Sequence, residues 1–177
     1  MNGLLVLFME DNYKHYMRPQ GRGLKLHLGS GDYWFDGYIN IDVGVYGGTD
    51  MLWDITEGLP FQSETVEIIE MYEVLEHLEK DQVSKLLDEF QRLLIDGGMV
   101  ILSVPDMDEL VAKYPEDKEQ VITYIYGYGG YQSHKWGYSQ DTLKKLFEDK
   151  GFKEINVIKG ELPERKGEAK LILSCKK

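Results

Sequence analysis

Leu24-Lys25-Leu26-His27-Leu28-Gly29-Ser30-Gly31, followed by Tyr38-Ile39-Asn40-Ile41-Asp42, decides the fold. An apolar run stops at a glycine-flanked turn, a second apolar run follows, and an acid closes it. A strand, a glycine turn and an acid at the end of the next strand are how an α/β sheet builds a cofactor cleft. Parallel strands are usually joined by a crossover of about a dozen residues or more, and Gly29 to Gly37 is shorter than that. The first crossover helix is therefore expected to be missing or cut to a turn.

Downstream, the same alternation continues. Thr49-Asp50-Met51-Leu52-Trp53-Asp54 reads as a third strand ending in an acid. Val66-Glu67-Ile68-Ile69-Glu70-Met71 reads as a fourth, too continuously apolar for a half-solvated strand and suited to a buried parallel one. Lys80 to Leu94 is the clearest helix, because Val83, Leu86, Leu87, Phe90, Leu93 and Leu94 recur at three- and four-residue spacing. Asp96-Gly97-Gly98 is expected to cap it, and Met99 to Val104 to form a fifth strand. Short helices are expected over Asp108 to Tyr114 and Glu116 to Tyr126, then a glycine- and aromatic-rich loop over Gly127 to Tyr138. Ser139 is a fitting N-cap for a helix through Lys150 that Gly151 ends. Phe152 to Ile158 and Ala169 to Ser174 complete seven strands, joined by a polar loop through Pro163.

The fold expected is α/β: a Rossmann-like three-layer sandwich around a mostly parallel, seven-stranded sheet, with the last strand antiparallel and the first crossover shortened. Residues 1–23 read as an N-terminal lead-in, and 24–177 as one domain carrying a lid-like segment at about 107–138. In the lead-in, Gly3 to Met9 has no basic residue before it and Glu10-Asp11 directly after it, so it reads as packing rather than a targeting signal. It is far too short to span a bilayer.

Composition narrows the partners. A net charge of -11 argues against nucleic acid, whose phosphates need clustered Lys and Arg. The single cysteine, Cys175, cannot form an internal disulfide, so a cytoplasmic location is the expectation. No membrane partner is expected, a small-molecule or uncharged substrate fits better, and a homodimer stays open.

The strand ends assemble the site. Gly29-Ser30-Gly31, Asp42, Asp54, Tyr72-Glu73 and Asp106 each follow a strand, and ligands of such sheets bind outside the carboxyl ends. A dinucleotide site needs G-x-G-x-x-G and a helix N-terminus for pyrophosphate. Here the sixth position is Trp34, Asp32 sets a carboxylate against phosphate, and there is no room for the helix. A nucleoside cofactor without phosphate, such as S-adenosylmethionine, has no such requirement.

Leu26 to Gly31, Tyr38 to Asp42, Asp54-Ile55 with Leu59-Pro60-Phe61, Glu73-Val74-Leu75-Glu76-His77-Leu78, Arg92 to Gly98 and Val104-Pro105-Asp106 together resemble the ordered motifs of class I S-adenosylmethionine-dependent methyltransferases. Within that class the chain is similar to the compact methyltransferase 11-related group. The resemblance implies methyl transfer from S-adenosylmethionine to a small-molecule or saccharide acceptor. It implies that Leu28, Gly29, Ser30 and Gly31 pass close to the amino-acid end of the cofactor and that Asp42 accepts both ribose hydroxyls. Asp54 with Ile55 would bracket the adenine, and Tyr72 with Glu73 would line the cleft near the methionine part. Tyr33 stands where a third glycine is common in the class.

A hydroxyl acceptor would need a base, and His77, Asp106 and His134 are the candidates. Each has a plainer role: His77 bonding backbone at a helix start, Asp106 capping a helix, His134 solvated in a loop. The loop around Trp136 is expected to close over the acceptor, with packing of the last helix as the alternative. Two rival readings remain: a non-catalytic S-adenosylmethionine-binding or partner module, and a metal enzyme using Glu73, Glu76 and His77 on one helix face. No metal is expected, because a zincin-like motif needs a second histidine near Glu73 and none is there.

Overall fold

The computed structural model describes residues 7–10, 13–16, 22–116, 118–127, 129–130, 133–162 and 165–177. Of the stretches singled out above, Gly3 to Val6, Asp11, Asp117, Tyr128, Tyr131, Gln132 and Pro163 lie outside them. Where lead-in and turn were expected, β1 (Leu7–Glu10) and β2 (Tyr13–Tyr16) pair antiparallel as a small separate sheet. The main sheet comprises β3 (Leu24–Leu28), β4 (Ile39–Asp42), β5 (Met51–Leu52), β6 (Val66–Tyr72), β7 (Leu94–Pro105), β8 (Lys153–Leu162) and β9 (Arg165–Lys176). Its order is β5-β4-β3-β6-β7-β9-β8. From β5 to β7 every neighbouring pair is parallel, and β9 runs antiparallel to both β7 and β8.

The chain leaves β3 toward β4 and β5, then returns to β6 on the other flank of β3. Such a reversal opens a crevice at the carboxyl ends of the two central strands. No helix fills the connection from β3 to β4, as its length requires; the amides of Gly29 and Ser30 instead donate to the Ile41 carbonyl (2.8 and 3.1 Å). The third strand is shorter than its apolar run. It stops at Leu52 because the Trp53 indole N–H turns to the Gly58 carbonyl (2.6 Å) and Asp54 caps a 3₁₀ turn over Ile55–Glu57.

The helix α1 (Lys80–Leu93) buries Val83, Leu86, Leu87, Phe90 and Leu93, the face its periodicity marks. A buried apolar side chain of this size contributes roughly 2 kcal/mol, so this face anchors the helix far more strongly than its exposed ion pairs do. Its end differs from expectation. Leu94 is already extended and pairs with Val66, and the next ladder pair is Ile68 with Met99. The left-handed Gly97 (φ +76°) therefore serves a bulge within β7, not a helix cap. Sheet pairing of a fully buried leucine outweighs one more helical hydrogen bond.

Among the described residues, three further α-helices follow: α2 (Met107–Lys113), α3 (Lys118–Tyr126) and α4 (Gln140–Asp149). Ser139 caps α4, accepting from the Thr142 amide (3.2 Å), and Leu143 and Phe147 face the core. Among the described residues, no helix is long and apolar enough to cross a membrane.

One buried polar group predicts a pH dependence. His27, 2 % exposed, stacks on Phe35 with ring centroids 4.1 Å apart. Asn40 Nδ2 donates to Asp50 (2.7 Å), so Asn40 Oδ1 is the acceptor and His27 Nδ1–H donates to it (3.0 Å). Burial holds the His27 pKa below its ordinary 6.5. Below pH 6.5 the unfolded chain therefore takes up a proton that the folded chain refuses, and stability falls with acidification. Urea unfolding of wild type and His27→Gln, at about pH 8 and about pH 5.5, checks this. The wild type's advantage over the variant should shrink at the lower pH, and an unchanged difference would refute the assignment.

Candidate active site

At the end of β3 the backbone passes directly under the turn that follows β6. A Cβ on Gly29 would stand 2.2 Å from Val74 Cγ2, and Gly29 has a φ of +67°, so only glycine fits. Two residues on, the Gly31 amide donates to Asp42 Oδ2 (2.8 Å), while Asp42 Oδ1 accepts from the Gly44 amide (2.9 Å). Two backbone donors thus fix the carboxylate at the end of β4. Each oxygen keeps a further lone pair directed outward, which suits a vicinal diol. A Cβ on Gly31 would meet nothing within 4 Å, so the backbone there borders open space.

That space is a cleft of about 720 Å³, a volume in the range of small-molecule sites. Its wall includes Gly29, Gly31, Asp42, Asp54, Ile55 and Glu73, which the sequence placed at separate strand ends, and also His77. Four carboxylates, those of Asp42, Asp54, Glu73 and Glu79, face one lysine, Lys135. An acidic wall favours a cationic ligand.

Other expected site residues stand elsewhere. Leu28 and Ser30 are buried and their side chains do not form the wall. Tyr72 is also outside it: its hydroxyl donates to Glu70 and its ring lies edge-on to His27 at 6.0 Å. Asp54 is at the wall but also accepts from the Thr56 amide (2.9 Å) and hydroxyl (2.7 Å), so it shapes its own turn.

Among the three candidate bases, Asp106 is occupied structurally. It is fully buried, caps α2 through the Asp108 and Glu109 amides (3.0 and 3.3 Å), and pairs with Lys159 Nζ at 2.8 Å. It is not among the residues lining either cavity. His77 and His134 are brought together, with ring centroids 4.8 Å apart. His77 borders the cofactor-sized cleft, and His134 borders an adjoining cavity of about 210 Å³ shared with Ile125, Trp136 and Tyr138. The loop carrying His134 is pinned to the site, because the Lys135 and Trp136 amides donate to the Glu76 carbonyl (2.7 and 3.2 Å).

Two features are absent from the sequence reading. Lys170, 1 % exposed on β9, pairs with Glu73, whose other oxygen accepts from Ser103 Oγ (2.9 Å). Glu73 itself holds a left-handed φ of +57° just beyond β6. The helix face expected to carry Glu73, Glu76 and His77 therefore does not form: only Leu75–His77 makes a single 3₁₀ turn.

A glycine turn under a parallel sheet, with an acid fixed at the end of the next strand and no helix in the connection between them, fits a class I S-adenosylmethionine-dependent methyltransferase fold. The chain belongs to the methyltransferase-domain family, whose model matches residues 31–157. A protein of Methanocaldococcus jannaschii, of uncharacterised function, is 31 % identical over 113 residues, covering 58 % of this chain. The match spans about half of that relative's length (53 %). Among solved structures, an S-adenosylmethionine-dependent methyltransferase from Thermotoga maritima, a possible histamine N-methyltransferase, superimposes with a TM-score of 0.61 at 20 % identity. The match covers 89 % of this chain and 84 % of that one. The 1,6-didemethyltoxoflavin-N1-methyltransferase of Burkholderia thailandensis, solved with its substrate and S-adenosylhomocysteine, gives 0.63 at 15 % identity, covering 89 % and 72 %. Identities this low establish a shared fold.

Proposed function

We propose that this chain transfers the methyl group of S-adenosylmethionine to a small-molecule or saccharide acceptor. The observation that carries the reading is the Asp42 carboxylate, held by two backbone amides beside open space at the switch point of the sheet. Bound there, the cofactor supplies an electrophilic methyl carbon on a sulfonium. Asp42 takes the ribose hydroxyls, Asp54 and Ile55 border the adenine, and Glu73 faces the methionine end. Glu73 is matched by Lys170, which leaves Asp42, Asp54 and Glu79 beside Lys135 in the wall, an acidic surplus that suits a ligand carrying a sulfonium and an ammonium. Gly130 and Lys135 close the cleft from the far side, and the adjoining cavity under Trp136 receives the acceptor. Trp136 lines that cavity and stays 45 % exposed, with Lys80 Nζ over one face of its ring at 3.3 Å, which supports a role in covering the acceptor.

The test is a calorimetric titration with S-adenosylhomocysteine. Loss of two charge-assisted hydrogen bonds to the ribose should weaken binding by about 100-fold in Asp42→Ala, with the fold retained by circular dichroism and a thermal midpoint lowered by the loss of the Gly31 and Gly44 amide contacts. Equal affinity in variant and wild type would remove the ribose assignment. The non-catalytic reading is separated by methyl transfer: binding without turnover on any of a panel of hydroxyl and amine acceptors would favour it.

A further inference from the structure

We propose that Glu76, His77 and His134 bind a divalent transition-metal ion at the boundary between the cofactor cleft and the acceptor cavity. The three residues each offer one ligand atom, and these atoms all lie within 4.8 Å of one another. The zincin-like reading of Glu73, Glu76 and His77 lacks a second histidine. The fold supplies it from the loop after α3, while Glu73 is drawn off to Lys170.

The surroundings match a ligand set rather than a chance cluster. His77 Nδ1 lies 3.2 Å from the Ser133 carbonyl, an acceptor, so Nδ1 carries the hydrogen and Nε2 keeps the lone pair. A backbone carbonyl fixing one imidazole nitrogen so that the other ligates is the usual second partner of a metal-bound histidine. Glu76 is 1 % exposed, and its own carbonyl fastens the Lys135 and Trp136 amides, so the residues flanking His134 are tied to the same turn as the other two ligands. Two imidazoles and one carboxylate are a donor set for zinc, manganese or iron(II), and three protein ligands leave coordination positions open. Bonds of about 2.0–2.2 Å need the donors drawn in to roughly 3.0–3.5 Å apart, a side-chain rotation for His77 and His134, both only half-buried.

Position gives the ion its role. His77 faces the cleft and His134 the adjoining cavity, so an open coordination site there addresses the acceptor. This assignment rests on the methyltransferase reading and deepens it: the acceptor atom is a hydroxyl oxygen. Coordination lowers the hydroxyl pKa and its proton leaves to solvent. The O–CH3 bond then forms as the CH3–S bond breaks, the bonding pair passing to sulfur.

The experiment uses the full chain, stripped by chelator and dialysed, titrated calorimetrically with zinc chloride and separately with cobalt chloride followed by visible absorption. One saturable site per chain and a cobalt d–d band are expected, both lost in His134→Ala and in His77→Ala, with affinity at least about 100-fold weaker. Unfolding midpoints near wild type in either variant keep the loss specific. No saturable site, or binding that both variants retain, would overturn the proposal. S-adenosylhomocysteine is titrated in parallel. A metal site without cofactor binding would refute the methyltransferase reading alone, and cofactor binding without a metal site would refute the metal alone.

Discussion

Replacing Lys170 by methionine should destabilise the fold by about 3–5 kcal/mol, the range for removing one partner of a buried ion pair. Lys170 and Glu73 are 1 % and 7 % exposed, so the carboxylate left behind meets water only at the cleft wall and recovers little of the missing charge. Ser103 Oγ still donates to it, and a neutral hydroxyl offsets only a fraction of a cation. Methionine keeps the volume, which isolates charge from packing. The double variant Lys170→Met/Glu73→Gln should recover most of the loss, because no buried charge is then left without its counterion. Urea unfolding of the four proteins in this cycle measures the coupling. A cost below about 1 kcal/mol for the single variant would mean that the pair is as weak as a surface one. Since Glu73 also forms part of the cleft wall, Lys170→Met is expected to weaken S-adenosylhomocysteine binding as well.

The second large effect belongs to Gly29. An alanine there must adopt a φ of +67° and place its Cβ 2.2 Å from Val74 Cγ2. The left-handed backbone costs about 1–2 kcal/mol, and the steric overlap about 1–3 kcal/mol more. Stability should therefore fall by about 2–5 kcal/mol. The cofactor turn is expected to be displaced, so affinity for S-adenosylhomocysteine should fall with it. Adding Val74→Ala removes the methyl that clashes and not the backbone strain, so it should restore only the steric part. Full restoration would show that the φ costs little; none would show that the clash is relieved by movement of the turn. Denaturant midpoints and calorimetric affinities of the wild type and the two variants separate these outcomes.

The parts of this molecule that were legible in the sequence are the ones with short-range causes. A glycine turn after an apolar run, an acid at a strand end and apolar residues at helical spacing each reflect forces acting within a few residues. These marked the succession of the main-sheet strands along the chain, the missing first crossover helix and most of the α1 face. What could not be read depends on partners distant in sequence. Lys170 meets Glu73 across 97 positions, and a lysine near the start of an apolar strand carries no local sign of burial. His134 reaches His77 because the Glu76 carbonyl ties down a loop far along the chain.

Tyr72 stands outside the cleft wall for a different reason. Its neighbour in the motif, Glu73, turns left-handed, whereas Tyr72 still obeys strand alternation and shares a side with Glu70. The end of α1 was misplaced because Gly97 looks like a cap, and only the ladder pairing of Leu94 with Val66 shows that the strand begins earlier. Asp106 shows the converse case: the local role, capping, was legible and is the one the structure displays.

The central claim is that the cleft between Gly29 and Asp42 holds S-adenosylmethionine with its sulfur toward the cavity under Trp136. The most direct measurement is a crystal structure of the chain with S-adenosylhomocysteine. The account predicts both ribose hydroxyls on the Asp42 carboxylate and the sulfur facing His77 and the acceptor cavity. A nucleoside bound away from Asp42, or no ligand at saturating concentration, would contradict it.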